Sequence, residues 1–471
     1  MRAVPKRGRT GGTATPARKP RRPAPKAVET RARDLPAALS SLVLAGAFAA
    51  TALVFDSGAE SSFDAPKRLL SLLAIAAGTL AAFGLSRWEN PLARPARPAW
   101  WDGRAAAALA GIALLLAFAS AAASPHRDIA LDSMRALLVM GCLIPLGASR
   151  VLLRHRGALL AAFLATAAIN AAVSILQARR IYQPFPLVTQ GDREATGAFV
   201  GNVGYLALAL ALAAVAALGV ALAARRPAER TAAGALALLF AAALLANRNL
   251  TSLSALGAGT AVLLFGLAGR RALLPLGGAV LAAALGIAVY APMRVRAVQA
   301  ARALRAGEWD QLLSYRTAPW ASALWMIRER PLLGFGPGTF GAEFVPHRLQ
   351  AEIDLRHRLT SPLAASSYGE AHCDYIQPFA EAGIPAGLAV LGAAALLLAS
   401  LARFARSATG SAKREAVLLL ALLAAGAMAA ATWFPLQRPI TALPLLLAAG
   451  RGWRISRGGA EEGSTAGGEA A

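Results

Sequence analysis

The chain has 471 residues, 56% of them hydrophobic and only 16% charged, whereas soluble domains carry roughly a quarter of charged residues. No soluble core could absorb that much apolar surface, so a water-soluble globular protein is excluded. A net charge of +24 would suggest nucleic acid as the partner of a soluble chain. Here the basic residues lie in short clusters between apolar blocks, where they mark membrane topology and imply no nucleic acid.

In chain order, residues 1–34 form a basic tail. Its first 33 residues hold eleven Lys or Arg among Pro, Gly, Thr and Ala, with no apolar run, a composition expected to stay disordered. The first apolar run is too long for a cleaved signal peptide and lacks a small-residue cleavage site, so it is expected to act as its own signal. A transmembrane helix needs roughly 20 apolar residues. Nine such runs are expected to be spans within residues 35–290: Leu35–Phe55, Leu69–Leu85, Ala105–Ala123, Met134–Leu153, Gly157–Leu176, Val203–Ala223, Thr231–Ala246, Leu250–Ala268 and Ala272–Tyr290. Three more fall within 383–450: Gly383–Leu401, Ala416–Phe434 and Leu436–Gly450. The expected fold is therefore all-α, a polytopic bundle of twelve spans with residues 291–382 as a large helical loop between spans nine and ten, and 451–471 as a second tail.

Twelve spans put both termini on one side, and the basic residues agree with that arrangement. The tails and loops on the terminal side hold 30 of the 49 Lys and Arg, and the short loops opposite hold nine; this asymmetry places the termini in the cytoplasm. The other ten lie in 291–382, where a long loop is exempt from the rule.

Within the long loop, Ala297–Ala306 reads as a basic amphipathic stretch and Thr317–Glu329 as a helix stopped by Pro331. A glycine-rich turn follows at Gly334 to Gly338. A third helix is expected from near Ala371, with His372, Tyr375 or Ile376, and Phe379 on one face, running through Gly383 into the next span. Of the two cysteines, Cys142 lies in an apolar run and Cys373 in this loop, which supports no disulfide framework, and five scattered histidines show no metal-ligand spacing. Glu352-Ile353-Asp354 looks like a paired-acid metal motif, but no strand or second carboxylate cluster accompanies it, so no metal is expected.

Apart from Arg135, the spans carry almost no ionisable residues, which argues against an ion-coupled carrier. The chemistry is expected at the outer membrane boundary, from the arginines before span six and the Arg, His and carboxylate set of the long loop. Arginine binds phosphate through paired hydrogen bonds and keeps its charge, and histidine is the commonest general base for a hydroxyl. Arg193, Arg316 and His372 are the candidates.

The order of these pieces resembles the family of O-antigen ligases and O-antigen polymerase-related membrane glycosyltransferases of bacteria. The resemblance rests on the span layout and on Arg193, Gly197, Phe199 and Asn202 leading into span six. It rests further on Arg316 with Trp320, Ile327 and Pro331-Leu332-Leu333-Gly334, on Gly336-Pro337-Gly338-Thr339-Phe340, on His372-Cys373-Asp374-Tyr375-Ile376-Gln377, and on Glu381-Ala382-Gly383-Ile384-Pro385. The chain departs from the family at Gly204 and Cys373, where an Asn is frequent, and at Leu253, where an Arg is.

The resemblance implies a multi-pass protein of the bacterial inner membrane with its large loop in the periplasm. It implies transfer of a glycan from undecaprenyl diphosphate, without cofactor or metal, to lipid A core or to another lipid-linked glycan. O-antigen ligase is the first reading; an O-antigen or exopolysaccharide polymerase, or a lipid-linked glycan transporter, are the alternatives. It also assigns roles: Arg193 and Arg316 stabilise the diphosphate, His372 accepts the proton of the attacking hydroxyl, and Asn202 and Tyr375 contact diphosphate or glycan. Membrane lipids would flank the site and admit the polyprenyl tail.

Overall fold

A computed structural model of the chain describes residues 27–56, 63–84, 102–149, 152–153, 155–183, 196–313, 315–356, 359 and 368–457. Every regular element among them is helical. Ala- and Leu-rich segments have high helix propensity, and a helix satisfies its own backbone where no water can.

The first half comprises α1 (Ala27–Leu53), α2 (Asp64–Thr79, prolonged by a π turn over Leu80–Gly84), α3 (Asp102–Ala123), α4 (Arg127–Gly141), α5 (Leu143–Ala148), α6 (Arg156–Ala178), α7 (Val203–Ala223), α8 (Pro227–Asn247), α9 (Leu250–Ala268) and α10 (Leu273–Val289). Then come the loop helices α11 (Ala291–Ala306), α12 (Trp309–Leu312), α13 (Thr317–Glu329) and α14 (Phe340–Leu355), and finally α15 (Gln377–Ser407), α16 (Gly410–Ala430) and α17 (Pro439–Ser456). Each of the twelve apolar runs overlaps a helix. Eight helical stretches are long and apolar enough to cross a membrane, and Ala37–Leu53 is a shorter apolar one.

One of the eight, Leu250–Val289, has 40 residues, about twice what a bilayer requires. It is interrupted at Gly269, whose φ of 57° and ψ of −134° end α9, and by a 3₁₀ turn carrying Arg270 and Arg271. The start of α16 carries Lys413, Arg414 and Glu415 and the end of α17 carries Arg451 and Arg454, which shortens their apolar stretches. Helix α1 begins at Ala27, inside the region expected as a disordered tail. Its first turns, Ala-Val-Glu-Thr-Arg-Ala-Arg, are mostly good helix formers that extend the span helix beyond its apolar part.

Helix α7 lies at the centre and is buried along most of its length. Being apolar on every face, it has no solvent side to present. Around it α15 packs along α3, α16 along α9 and α8 along α7 itself. The segment between α10 and α15 has a core of its own, with Met326, Phe340 and Phe344 fully buried beside Ala371 and Ala380.

That segment departs from expectation at residues 371–376, which are not helical; α15 starts only at Gln377. Long-range hydrogen bonds outcompete the local helix there. The Ala371 N–H donates to Gln377 Oε1 at 2.9 Å, and the Asp374 N–H donates to the carbonyls of Ala430 and Trp433 at 3.0 and 3.2 Å. Nor does α15 run smoothly through Gly383. That residue has φ 85° and ψ 168° and breaks the helix, and a Cβ there would lie 2.2 Å from the Leu332 carbonyl oxygen. The break receives the glycine-rich turn: the Gly336 N–H donates to the Glu381 carbonyl and the Ile384 N–H to the Pro331 carbonyl, both at 2.7 Å.

Candidate functional site

The ends of α2, α7, α13, α16 and α17 converge with residues 368–376. Helix α16 ends at Ala430, and the following turn presents Trp433 and Phe434, stacked with centroids 4.7 Å apart. Phe434 is 1% exposed. Tyr205, in the first turn of α7, packs on both rings at 5.9 and 5.7 Å. Gly204 makes this possible, since a Cβ there would stand 2.5 Å from the Trp433 ring.

His372 sits on this aromatic wall. Its ring meets Tyr368, Trp433 and Phe434 edge to face at 5.1, 5.2 and 4.8 Å. Its Nδ1 lies 3.0 Å from the Glu370 carbonyl oxygen. A carbonyl only accepts, so Nδ1 carries the hydrogen and, in the neutral ring, Nε2 keeps its lone pair. The residue has φ 53°, a left-handed conformation that costs a non-glycine residue about 1–3 kcal/mol and survives only where its surroundings dictate it. Burial pushes the imidazole down to about 4, helped by the charges of Arg316 and Arg438 and opposed by the Glu370 carbonyl. At neutral pH the ring is uncharged.

Arg316 immediately precedes α13, and its side chain makes no capping hydrogen bond to the helix end. Its guanidinium lies over the Trp433 ring, 5.3 Å from the centroid, so Arg316 and His372 share one aromatic neighbour. Nη1 donates to the Leu313 carbonyl at 3.4 Å, while Nε is buried without a hydrogen-bond partner among the described residues. Burial lowers this guanidinium to about 10, which leaves it charged at neutral pH. No carboxylate pairs with it among the described residues. Tyr315 next to it also has a left-handed φ, 60°, and its carbonyl accepts from the Tyr368 hydroxyl at 3.0 Å. This bond ties the base of α13 to the loop that carries His372.

The other expected residues are placed differently. Arg193 lies outside the described residues; nearby, the Thr196 carbonyl accepts from Ser174 Oγ at 2.9 Å. Asn202 is the N-cap of α7, its side-chain oxygen accepting from the N–H groups of Gly204 and Tyr205 at 2.8 and 3.2 Å. Only its amide nitrogen remains for a ligand. The Tyr375 hydroxyl donates to the Ala427 carbonyl at 2.6 Å, which directs it along α16. Among the described residues no group of three or more His, Cys, Asp or Glu is arranged to hold a metal ion.

Sequence reasoning missed the aromatic wall and Arg438. Arg438 precedes Pro439 at the start of α17 and lies over the rings of Tyr205 and Phe434 at 4.7 and 5.3 Å. It pairs with Asp64 at 3.3 Å and, more closely, with Glu370. Burial raises the Glu370 carboxyl, opposed by Arg438. One signal was available: Arg438 is the sole charged residue between Glu415 and Arg451, at a span boundary where a lone charge is costly.

The comparisons with known proteins bear on this arrangement. Residues 233–391 match the O-antigen ligase family model. The matched segment runs from within α8 to within α15, so it contains Arg316, Tyr368, Glu370 and His372 and leaves Asn202, Trp433 and Arg438 outside. The match spans 159 of the 471 residues and is a likeness to that family over this segment. No curated protein matches the chain.

Proposed function

We propose that the chain is a metal-independent glycosyltransferase, an O-antigen ligase that moves a glycan from undecaprenyl diphosphate to lipid A core at the periplasmic face of the inner membrane. The observation that carries this reading is the sharing of Trp433 by Arg316 and His372. A guanidinium without a carboxylate partner among the described residues and an uncharged imidazole then border one site, and both belong to the segment that matches the ligase family.

In this reading the acceptor hydroxyl gives its proton to His372 Nε2 while its oxygen bonds to the anomeric carbon. The bond from that carbon to the diphosphate oxygen breaks, and the anomeric configuration inverts. The charge left on the diphosphate falls to Arg316, with Arg193 as the second donor. Such charge is best stabilised by a donor already in place in a water-poor site. An imidazole held near 4 is a weak base in the empty site, but a bound diphosphate offsets the cationic field of Arg316 and Arg438. Its own charge draws the imidazole back toward neutral, where base catalysis works best.

The topology proposed with this function is twelve spans, with 291–382 outside and both termini in the cytoplasm. The distribution of charges supports it. Arg156 at the start of α6, Glu415 near the start of α16 and Arg451 near the end of α17 cluster through hydrogen bonds of 2.8–3.2 Å, at the bundle end opposite His372.

The test is reconstitution of the chain in nanodiscs with an undecaprenyl diphosphate glycan and two acceptors, lipid A core and a second lipid-linked repeat. Glycan on lipid A core is the expected product. A lengthened lipid-linked glycan would make the chain a polymerase, and neither product would remove the transferase reading.

A further inference from the structure

The segment bearing His372 is held from outside itself. Glu370 offers two groups: its carbonyl oxygen accepts from His372 Nδ1, and its carboxylate accepts from Arg438. Arg438 in turn reaches Asp64 at the start of α2 and lies against Phe434, the ring closest to His372. One guanidinium therefore fixes both the peptide that orients the imidazole and a ring that walls it in, across α2, α7, α17 and the 368–376 loop.

With both its carboxylate partners satisfied, Arg438 is poorly placed to take a substrate phosphate. We infer that Arg438 is a positioning residue for His372. By bridging Glu370 and Asp64 it fixes the carbonyl that holds the imidazole with Nδ1 protonated and Nε2 free. The role in catalysis rests on the proposed function, whereas the effect on the imidazole does not.

The charged and titratable groups around His372 are Arg316 from the α13 cap, Arg438 from the α17 cap, and Tyr368, Glu370, Cys373 and Asp374 from its own loop. Loss of Arg438 removes one nearby cation and loosens the contact that excludes water. Both changes raise the imidazole from about 4 toward its ordinary 6.5.

The experiment is a ¹⁵N-histidine NMR titration of the full chain in nanodiscs, as wild type, Arg438→Gln, Arg438→Lys and Glu370→Gln, with His372→Gln to identify the signal. The wild type is expected to show the Nδ1–H tautomer and a low titration. Arg438→Gln should show mixed tautomers, a titration moved toward 6.5, and a kcat for glycan transfer lowered about tenfold or more, since small displacements of a catalytic group cost rate steeply. Its KM for the donor should stay near that of the wild type.

Arg438→Lys keeps the cation without the two-pronged bridge and should recover part of the tautomer. If Arg438→Gln does not fold, Glu370→Gln weakens the same bridge while Arg438 stays charged, so it should show the same mixed tautomers without the same upward move of the titration. A folded Arg438→Gln or Glu370→Gln with the wild-type tautomer would overturn the inference. Tautomer loss in Arg438→Gln, together with normal transfer by a His372→Ala chain, would uphold the positioning effect while removing His372 from the chemistry.

Discussion

Helices α16 and α17 run between two arginine clusters about 22 Å apart, taking Glu415 to Ala430 at a helical rise of about 1.5 Å per residue. At one end both Arg156 and Arg451 reach the Glu415 carboxylate, with contacts of 3.0 and 2.8 Å, and the charges fasten three helices together. At the other, Arg438 is likewise shared by two carboxylates, but among the described residues Arg316 has an aromatic ring and a single carbonyl instead. A paired arginine ties elements together, whereas one with no carboxylate partner among the described residues is, in the proposed function, the one left to meet the diphosphate. The same residue type is structural at one end of the bundle and, in the proposed function, chemical at the other.

Substitutions should separate the two ends. The largest effect is expected from His372→Ala, which should lower transfer about 10²–10⁴-fold while membrane insertion is unchanged; turnover at the wild-type rate would deny it the role of base. Arg316→Lys keeps the charge but loses the planar fork, and a loss of about 10²-fold in kcat is expected from the stabilisation such donors supply. Activity close to wild type would reduce Arg316 to a simple surface charge.

The pH dependence is smaller and has a definite sign. The His372 imidazole titrates near 4 in the folded chain, against an ordinary value of 6.5. Between those values the unfolded chain takes up a proton that the folded chain refuses, so acidification from pH 6.5 to 4 lowers stability through this group. The acid limb of kcat/KM, which reports the free enzyme, should fall near pH 4, and a limb at 6.5 would show an unburied histidine. Glu415→Gln belongs to the other end: it should lower the thermal midpoint by a few degrees, about 1 kcal/mol, and leave transfer nearly unchanged. A tenfold loss of transfer there would erase the contrast between the ends. A chelator should have no effect on turnover, and loss in EDTA reversed by magnesium would refute the metal-free reading.

Much of the helical framework was legible because a run of some twenty Ala and Leu has few other options in a membrane. Helix α7 matches its apolar run, Val203–Ala223, from end to end, and α13 matches Thr317–Glu329. The surroundings of His372 were not legible. Its local sequence favours a helix from Ala371, and what prevents one lies in Gln377 and in the carbonyls of Ala430 and Trp433. Arg438 was hidden for a similar reason, since its partners Asp64 and Glu370 stand 374 and 68 positions away in the chain. Arg316 and His372 could be picked out singly by residue type, but not the Trp433 ring that joins them.

Equilibrium binding of undecaprenyl diphosphate glycan to the chain in nanodiscs, compared among wild type, Arg316→Lys and His372→Ala, tests the shared site most directly. Weaker binding by Arg316→Lys is expected, together with wild-type binding but no product from His372→Ala. Equal binding by all three, with product still formed by His372→Ala, would contradict it.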